Sequence, residues 1–314
     1  ARAGDTERAR WAAEGAVSTA ERIRRPEERA RALAGVAGAL ARAGDAEGAR
    51  RVAEGAVNTA ERIRRPERRA RALAGVAGAL ARAGDAEGAR RVAEGAVNTA
   101  ERIRRPERRA RALAGVAGAL ARAGDAEGAR RVAEDAVNTA ERIRWPEEYA
   151  RALAEAAGAL ARAGDTDEAF KIVTMIDESS SRSRAQSAII KALVRKGSSN
   201  EAVDMLRAAI AEVEGFVSRQ DAADYCAVLA ATCLDAADLV DAGTTTHEQW
   251  LGLARSALAR SWLYGAPVWN CFDVLLRVAP DLAMRLVEER LLANPEPRPG
   301  SDPGGPGGGA ASSR

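Results

Sequence analysis

The 314-residue chain has one histidine, three cysteines and three lysines, and aromatic side chains make up 4% of it. Each scarcity excludes chemistry. His247 alone leaves no histidine pair for a metal or protease motif, and no other set of Cys, His and carboxylate has ligand spacing. Cys226, Cys233 and Cys271 form no CxxC pair and no disulfide framework in a chain this long, so they read as core thiols. Lys171, Lys191 and Lys196 lie outside any GK[ST] context, which removes the P-loop, and the run GVAGALARAG lacks GxGxxG. No GxSxG elbow occurs either. Apolar runs fall short of the ~18–20 residues of a membrane span, and no signal-peptide core follows Ala1. The expectation is a soluble, cytoplasmic chain without membrane contact, and, with no methionine at its start, a fragment of a larger multidomain protein.

What the sequence does contain is 76 alanines and 45 arginines. Alanine is the best helix former and is depleted in strands, while Val, Ile, Phe and Tyr are too few to build sheets, so an all-α fold is expected. Arginine in such excess over lysine fits GC-rich codon usage as well as any functional demand.

The alanines recur in register. Residues 41–80 and 81–120 are identical, and 1–40 and 121–160 each differ from that unit at six positions. Each unit reads as two helices. Asp45 suits an N-cap, and Ala49, Val52, Ala53, Ala56, Val57, Ala60 and Ile63 form one buried stripe. Pro66 ends that helix and opens the next, whose inward residues are Ala70, Leu73, Val76, Ala77 and Leu80. Gly84 takes the left-handed position before Asp85 caps the following unit. Gly35, Gly38, Gly75 and Gly78 lie inside helices at ~1 kcal/mol each relative to alanine, and close backbone packing is the expected reason. The period of 40 predicts a right-handed α-solenoid of antiparallel helix pairs. Residues 1–160 form four near-identical repeats, 161–200 a degenerate repeat and 201–293 a helical cap with larger apolar residues. The Pro/Gly/Ser-rich tail 294–314 is expected to be disordered. Ser179, Ser180, Ser181 and Ser183 read as a turn between helices.

The stretch from Leu73, LAGVAGALARAGDAEGARRVAEGA, resembles the tetratricopeptide repeat. It has a large apolar residue, the Val76–Ala77 pair, Leu80, the Gly84 turn, then small Ala89 and Ala96, with Pro106 ending the second helix. The resemblance covers roughly residues 26–215. It departs from the family in its period, 40 rather than about 34, and in lacking the usual aromatics; a HEAT-like repeat is the alternative within the same architecture. The resemblance implies a non-enzymatic protein-interaction scaffold or sensor module, with no cofactor.

Charge offers the candidate surfaces. Residues 1–40 carry +2, 41–80 and 81–120 carry +4 each, 121–160 carry −2 and 161–314 carry −5. The basic excess gathers at the hairpin RIRRPERRAR. Arg64, Arg65, Arg104 and Arg105 close helix C-termini, where the dipole favours cations. Arg68, Arg69, Arg108 and Arg109 stand in first turns, where it does not, and with free N–H groups they form a candidate anion ridge. Trp145 and Tyr149 replace arginines at the same hairpin and are candidate partner contacts. Asp235, Asp238 and Asp241 share a helix face and read as a solvated acidic surface or a dock for a basic partner. Protein partners are thus expected first. The alternative is nucleic acid or another polyanion along the arginine-rich hairpin edge, weakened by the few aromatics for stacking.

Overall fold

A computed structural model describes residues 3–293, and their side chains from Arg10 to Arg290. The tail 294–314 lies outside the described residues. Helices account for all the regular structure described: α1 (Ala3–Glu21), α2 (Pro26–Arg42), α3 (Ala46–Glu61), α4 (Pro66–Arg82), α5 (Ala86–Glu101), α6 (Pro106–Arg122), α7 (Ala126–Ala140), α8 (Pro146–Ala163), α9 (Thr166–Thr174), α10 (Ser179–Lys196), α11 (Ser199–Glu212), α12 (Arg219–Ala237), α13 (Thr245–Leu263), α14 (Phe272–Val278) and α15 (Pro280–Ala293), with two short 3-10 turns.

The same local chemistry sets each boundary. At the end of α2, Gly44 adopts φ +86°, and the Asp45 N–H reaches the Leu40 carbonyl at 2.9 Å. This left-handed cap reuses orphan carbonyls of the last turn. It recurs at Gly84, Gly124, Gly164 and Gly197. One residue later Asp45 caps α3, its carboxylate accepting from the Gly48 N–H at 3.0 Å. Asp85, Asp125 and Asp165 cap α5, α7 and α9 in the same way. Pro26, Pro66, Pro106 and Pro146 each take a first helical position, where the missing N–H costs nothing.

Packing follows the repeat. α2, α4, α6, α8 and α10 each pack against the helix after them, and each also touches the next even helix, as far as α12. α3, α5, α7 and α9 rest between the two even helices on either side. The result is an all-α solenoid of two layers. Neighbours in the even layer touch one another directly, and the side of that layer not covered by the odd helices is termed the inner face.

The seam between layers is built mostly of alanine. Ala53 and Ala56 of α3 meet Leu33 and Ala37 of α2 and Val76, Ala79 and Leu80 of α4 in one cluster. The expected inward residues Ala70, Leu73, Val76, Ala77 and Leu80 are all buried, whereas Val52 and Val57 are half-buried. Small side chains contribute little area each, so the array gains its stability from close approach repeated along its length. Beyond α9 the fillers grow, with Ile189, Ile190, Leu206, Tyr225, Leu229 and Trp250 fully buried. In residues 201–293 the alternating pairing continues: α12 packs on α10 and α13 on α12, before α14 and α15 close the end.

Two local expectations are corrected. The serine run is not a turn but the first turns of α10, because Glu178 accepts from the Ser180 and Ser181 N–H groups at 2.9 and 2.7 Å and caps the helix. Nor do Gly35 and Gly75 serve close packing. A Cβ at either would meet nothing within 4 Å.

Candidate functional site

Most arginines in the repeats have structural duties, and sorting them isolates those that do not. On the outer layer, Arg50 of α3 pairs with the cap of the next outer helix, Asp85, at 3.9 Å, and Arg90 and Arg130 pair with Asp125 and Asp165 at 3.7 and 3.5 Å. Arg10 reaches Asp45 at 2.7 Å. That carboxylate is held below the usual range, first by Arg10 and then by the Gly48 N–H. The cap and the inter-repeat tie are therefore the same side chain.

The hairpin arginines are occupied in part. Arg69 and Arg109 donate from Nε to the carbonyls of Ile63 and Ile103 at 2.8 Å, closing the turn between helices. Arg29 and Arg182 do the same at Ile23 and Ile176. Arg68 pairs with Glu27 of the preceding unit, and Arg108 with Glu67 at 3.5 Å. Pro66 supplies no N–H, and those of Arg68 and Arg69 both return to the Arg65 carbonyl. This leaves few donors for an anion at that helix start. Arg64, Arg65, Arg104 and Arg105 stay exposed at the hairpin edge, but they do not close helix C-termini as expected: α3 and α5 already end at Glu61 and Glu101, and Arg65 and Arg105 are the N-caps of α4 and α6. Trp145 and Tyr149 part company: Trp145 is 73% exposed, while Tyr149 is half-buried against the core. Asp235 and Asp238 spend their charge on Lys191 and Arg277.

On the inner face, two rows of arginine run across the even helices. Arg31 and Arg71 project from the first halves of α2 and α4, and Arg82, Arg122 and Arg162 from the ends of α4, α6 and α8. None of these five has a hydrogen bond or ion pair to another described residue; the charged contacts of the neighbouring arginines go elsewhere. Arg122 is depressed to about 10, first by the protein crowded around it and then by the like charges of Arg162 and Arg82. Arg82 and Arg162 are lowered for the same reasons, Arg42 and Arg195 being their cationic neighbours. Like charges held together without a counter-charge store electrostatic energy that an anion would release.

The floor between the rows is bare. A groove of about 520 Å³ between α4 and α6 is lined by Arg71, Arg111 and Arg122, with Ala74, Gly75, Ala112 and Gly115 beneath, and opens at its hairpin end onto Arg65, Arg68, Arg108 and Glu67. A second, of about 360 Å³, continues it between α2 and α4. Toward the other end a groove of about 490 Å³ holds Arg122, Arg162, Arg195 and Lys196 and no acid. Gly38, Gly78 and Gly118 do meet something: a Cβ there would lie 2.8 Å from the guanidinium of Arg82, Arg122 and Arg162 respectively. These glycines seat the second arginine row.

The fourth repeat changes the floor. Glu155 stands where Gly75 and Gly115 stand earlier, 3.5 Å from Arg111 Nε, while Glu148 Oε2 takes Arg111 Nη2 at 2.7 Å. Burial raises the Glu155 carboxyl above its ordinary value despite the surrounding arginines. Sequence reasoning passed over this face because Arg71 lies inside a helix and Arg82 ends one, and nothing marks either as different from other surface arginines. The available signal was the pair of helix-interior glycines at 75 and 78, close in sequence to both rows.

The buried thiols contribute no reactive group at this surface: burial lifts Cys226 to about 11 and Cys233 to about 12. Among the described residues, no group of three His, Cys, Asp or Glu could hold a metal ion, and no helix is long and apolar enough to cross a membrane.

No protein-family model matches the sequence, and no curated protein is significantly similar to it. Among solved structures, the chain is similar to Ton1535 from Thermococcus onnurineus NA1, with 18% identity over 88% of this chain and 83% of that one and a TM-score of 0.36. It is also similar to a circular tandem repeat protein with novel repeat topology and enhanced subunit contact surfaces, with 18% identity over 92% of this chain and 82% of that one and a TM-score of 0.32. The fold assignment rests on the helix packing described above.

Proposed function

We propose that the chain is a non-enzymatic interaction scaffold, of tetratricopeptide-like design, whose inner face docks a polypeptide partner. The observation that carries this reading is the juxtaposition of arginines that make no hydrogen bond or ion pair, Arg82, Arg122 and Arg162 above all, with floor glycines Gly75 and Gly115 that no packing requirement explains. Glycine in a helix costs stability, and its use where the backbone must be approached closely accounts for that cost. The hairpin edge is the competing surface for protein or nucleic acid, but four of its eight singled-out arginines are already engaged.

Affinity capture with the full chain tests this, using two variants. Replacing Arg71, Arg82 and Arg122 by glutamine is expected to release captured protein, whereas replacing Arg64, Arg104 and Arg105, which do not line the groove, leaves it bound. The opposite pattern places the partner on the hairpin edge and overturns the reading.

A further inference from the structure

Resting on the scaffold reading, we infer that the inner-face partner is an extended acidic segment with a carboxylate at every third residue, bound across the Arg82, Arg122 and Arg162 row. Three features define this occupant.

The first is charge. The row is cationic, its members repel one another, and the groove formed with Arg195 and Lys196 contains no acid. A carboxylate relieves that repulsion and forms the charge-assisted hydrogen bonds the guanidinium groups lack.

The second is spacing. One arginine comes from each of three adjacent even helices, and packed helices lie ~8–10 Å apart. A polyproline-II segment advances about 3.1 Å per residue with three residues per turn, so side chains three apart share a face at ~9.3 Å. A β-strand has period two and turns alternate side chains away. The row therefore reads an acidic residue at i, i+3 and i+6.

The third is the floor. Gly75 and Gly115 leave room for a backbone to lie close beneath the rows, and Glu155 shows within this chain that a carboxylate at that position seeks Arg111. No aromatic residue lines the three grooves, so bases would find no stacking partner, which favours a polypeptide over single-stranded nucleic acid.

The test is fluorescence anisotropy with the full chain and a labelled peptide of four Glu-Pro-Ala units, against an isomer of the same composition with its glutamates contiguous. The periodic peptide is expected to bind about tenfold tighter, and more weakly at higher salt; Arg122→Gln should cost about tenfold, and the triple Arg82, Arg122 and Arg162→Gln change should abolish binding. A second variant, Gly75→Glu with Gly115→Glu, fills open space and should block binding, with unchanged circular dichroism confirming the fold. Equal binding of the two peptides, or binding that survives the triple change, overturns the inference. So does binding of polyphosphate or single-stranded DNA without the periodic peptide. If the capture experiment finds an inner-face protein partner while the periodic peptide does not bind, this inference falls and the scaffold reading stands. Failure of capture at the inner face removes the scaffold reading itself.

Discussion

At the residue scale, the interior glycines of α4 and α6 separate into two kinds that the sequence alone does not distinguish. Gly75 and Gly115 face open space, and Gly78 and Gly118 face a guanidinium. Gly115→Ala should therefore raise stability by ~1 kcal/mol, the helix-propensity difference, as read by denaturant unfolding. Gly78→Ala should gain less, because Arg122 must move. Equal gains at both positions would show that the guanidinium is not seated there. Glu155 makes a pH-dependent prediction. Burial raises its folded-state pKa, so at pH values below its unfolded value, ~4.3, both states are protonated and it contributes nothing. Above the raised value, the fold carries a half-buried charge that the unfolded chain holds fully in water. Glu155→Gln should thus raise Tm at pH 7, by an amount that shrinks as pH falls toward 4. A Glu155→Gln change that lowers Tm at pH 7 would mean that Arg111 outweighs burial.

At the scale of the helix pair, the boundaries were readable because each is written in short-range chemistry. Gly44 and Asp45, and Pro66, act within a few residues of the bond they form or forgo. The stripe from Ala70 to Leu80 was equally legible, since helical period alone places it on one face. The hairpin arginines were not. Arg109 lies in a first turn where the dipole opposes it, which reads as a functional cation until its Nε is found on the Ile103 carbonyl six residues back. That bond depends on how the turn folds, which composition does not reveal. Arg109→Met should accordingly cost ~1 kcal/mol, since it strands a carbonyl whose own residue is fully buried. If the dipole alone governed this position, the same change would be neutral or stabilising in urea unfolding. The serine run misled for a related reason: its helix is capped by Glu178, a less common N-cap than serine, threonine, aspartate or asparagine.

Across the whole molecule, the repeat places equivalent residues in rows, and rows create properties that no single unit has. Asp45 and its equivalents tie the outer helices together, while Arg82, Arg122 and Arg162 form an unpaired cationic line on the opposite side. The fourth unit replaces the floor glycine with Glu155, so the near-identical units are bounded by one whose floor carries an acid beside Arg111. The most direct test of this account is photo-crosslinking from the full chain. A photoreactive side chain is placed at position 115 on the inner face or at position 104 on the hairpin edge, and the adducts are identified by mass spectrometry. Polypeptide adducts, rich in acidic residues at the crosslinked segment, are expected from position 115, and few from position 104. Adducts from position 104 alone, or nucleic acid in place of polypeptide at position 115, would contradict it.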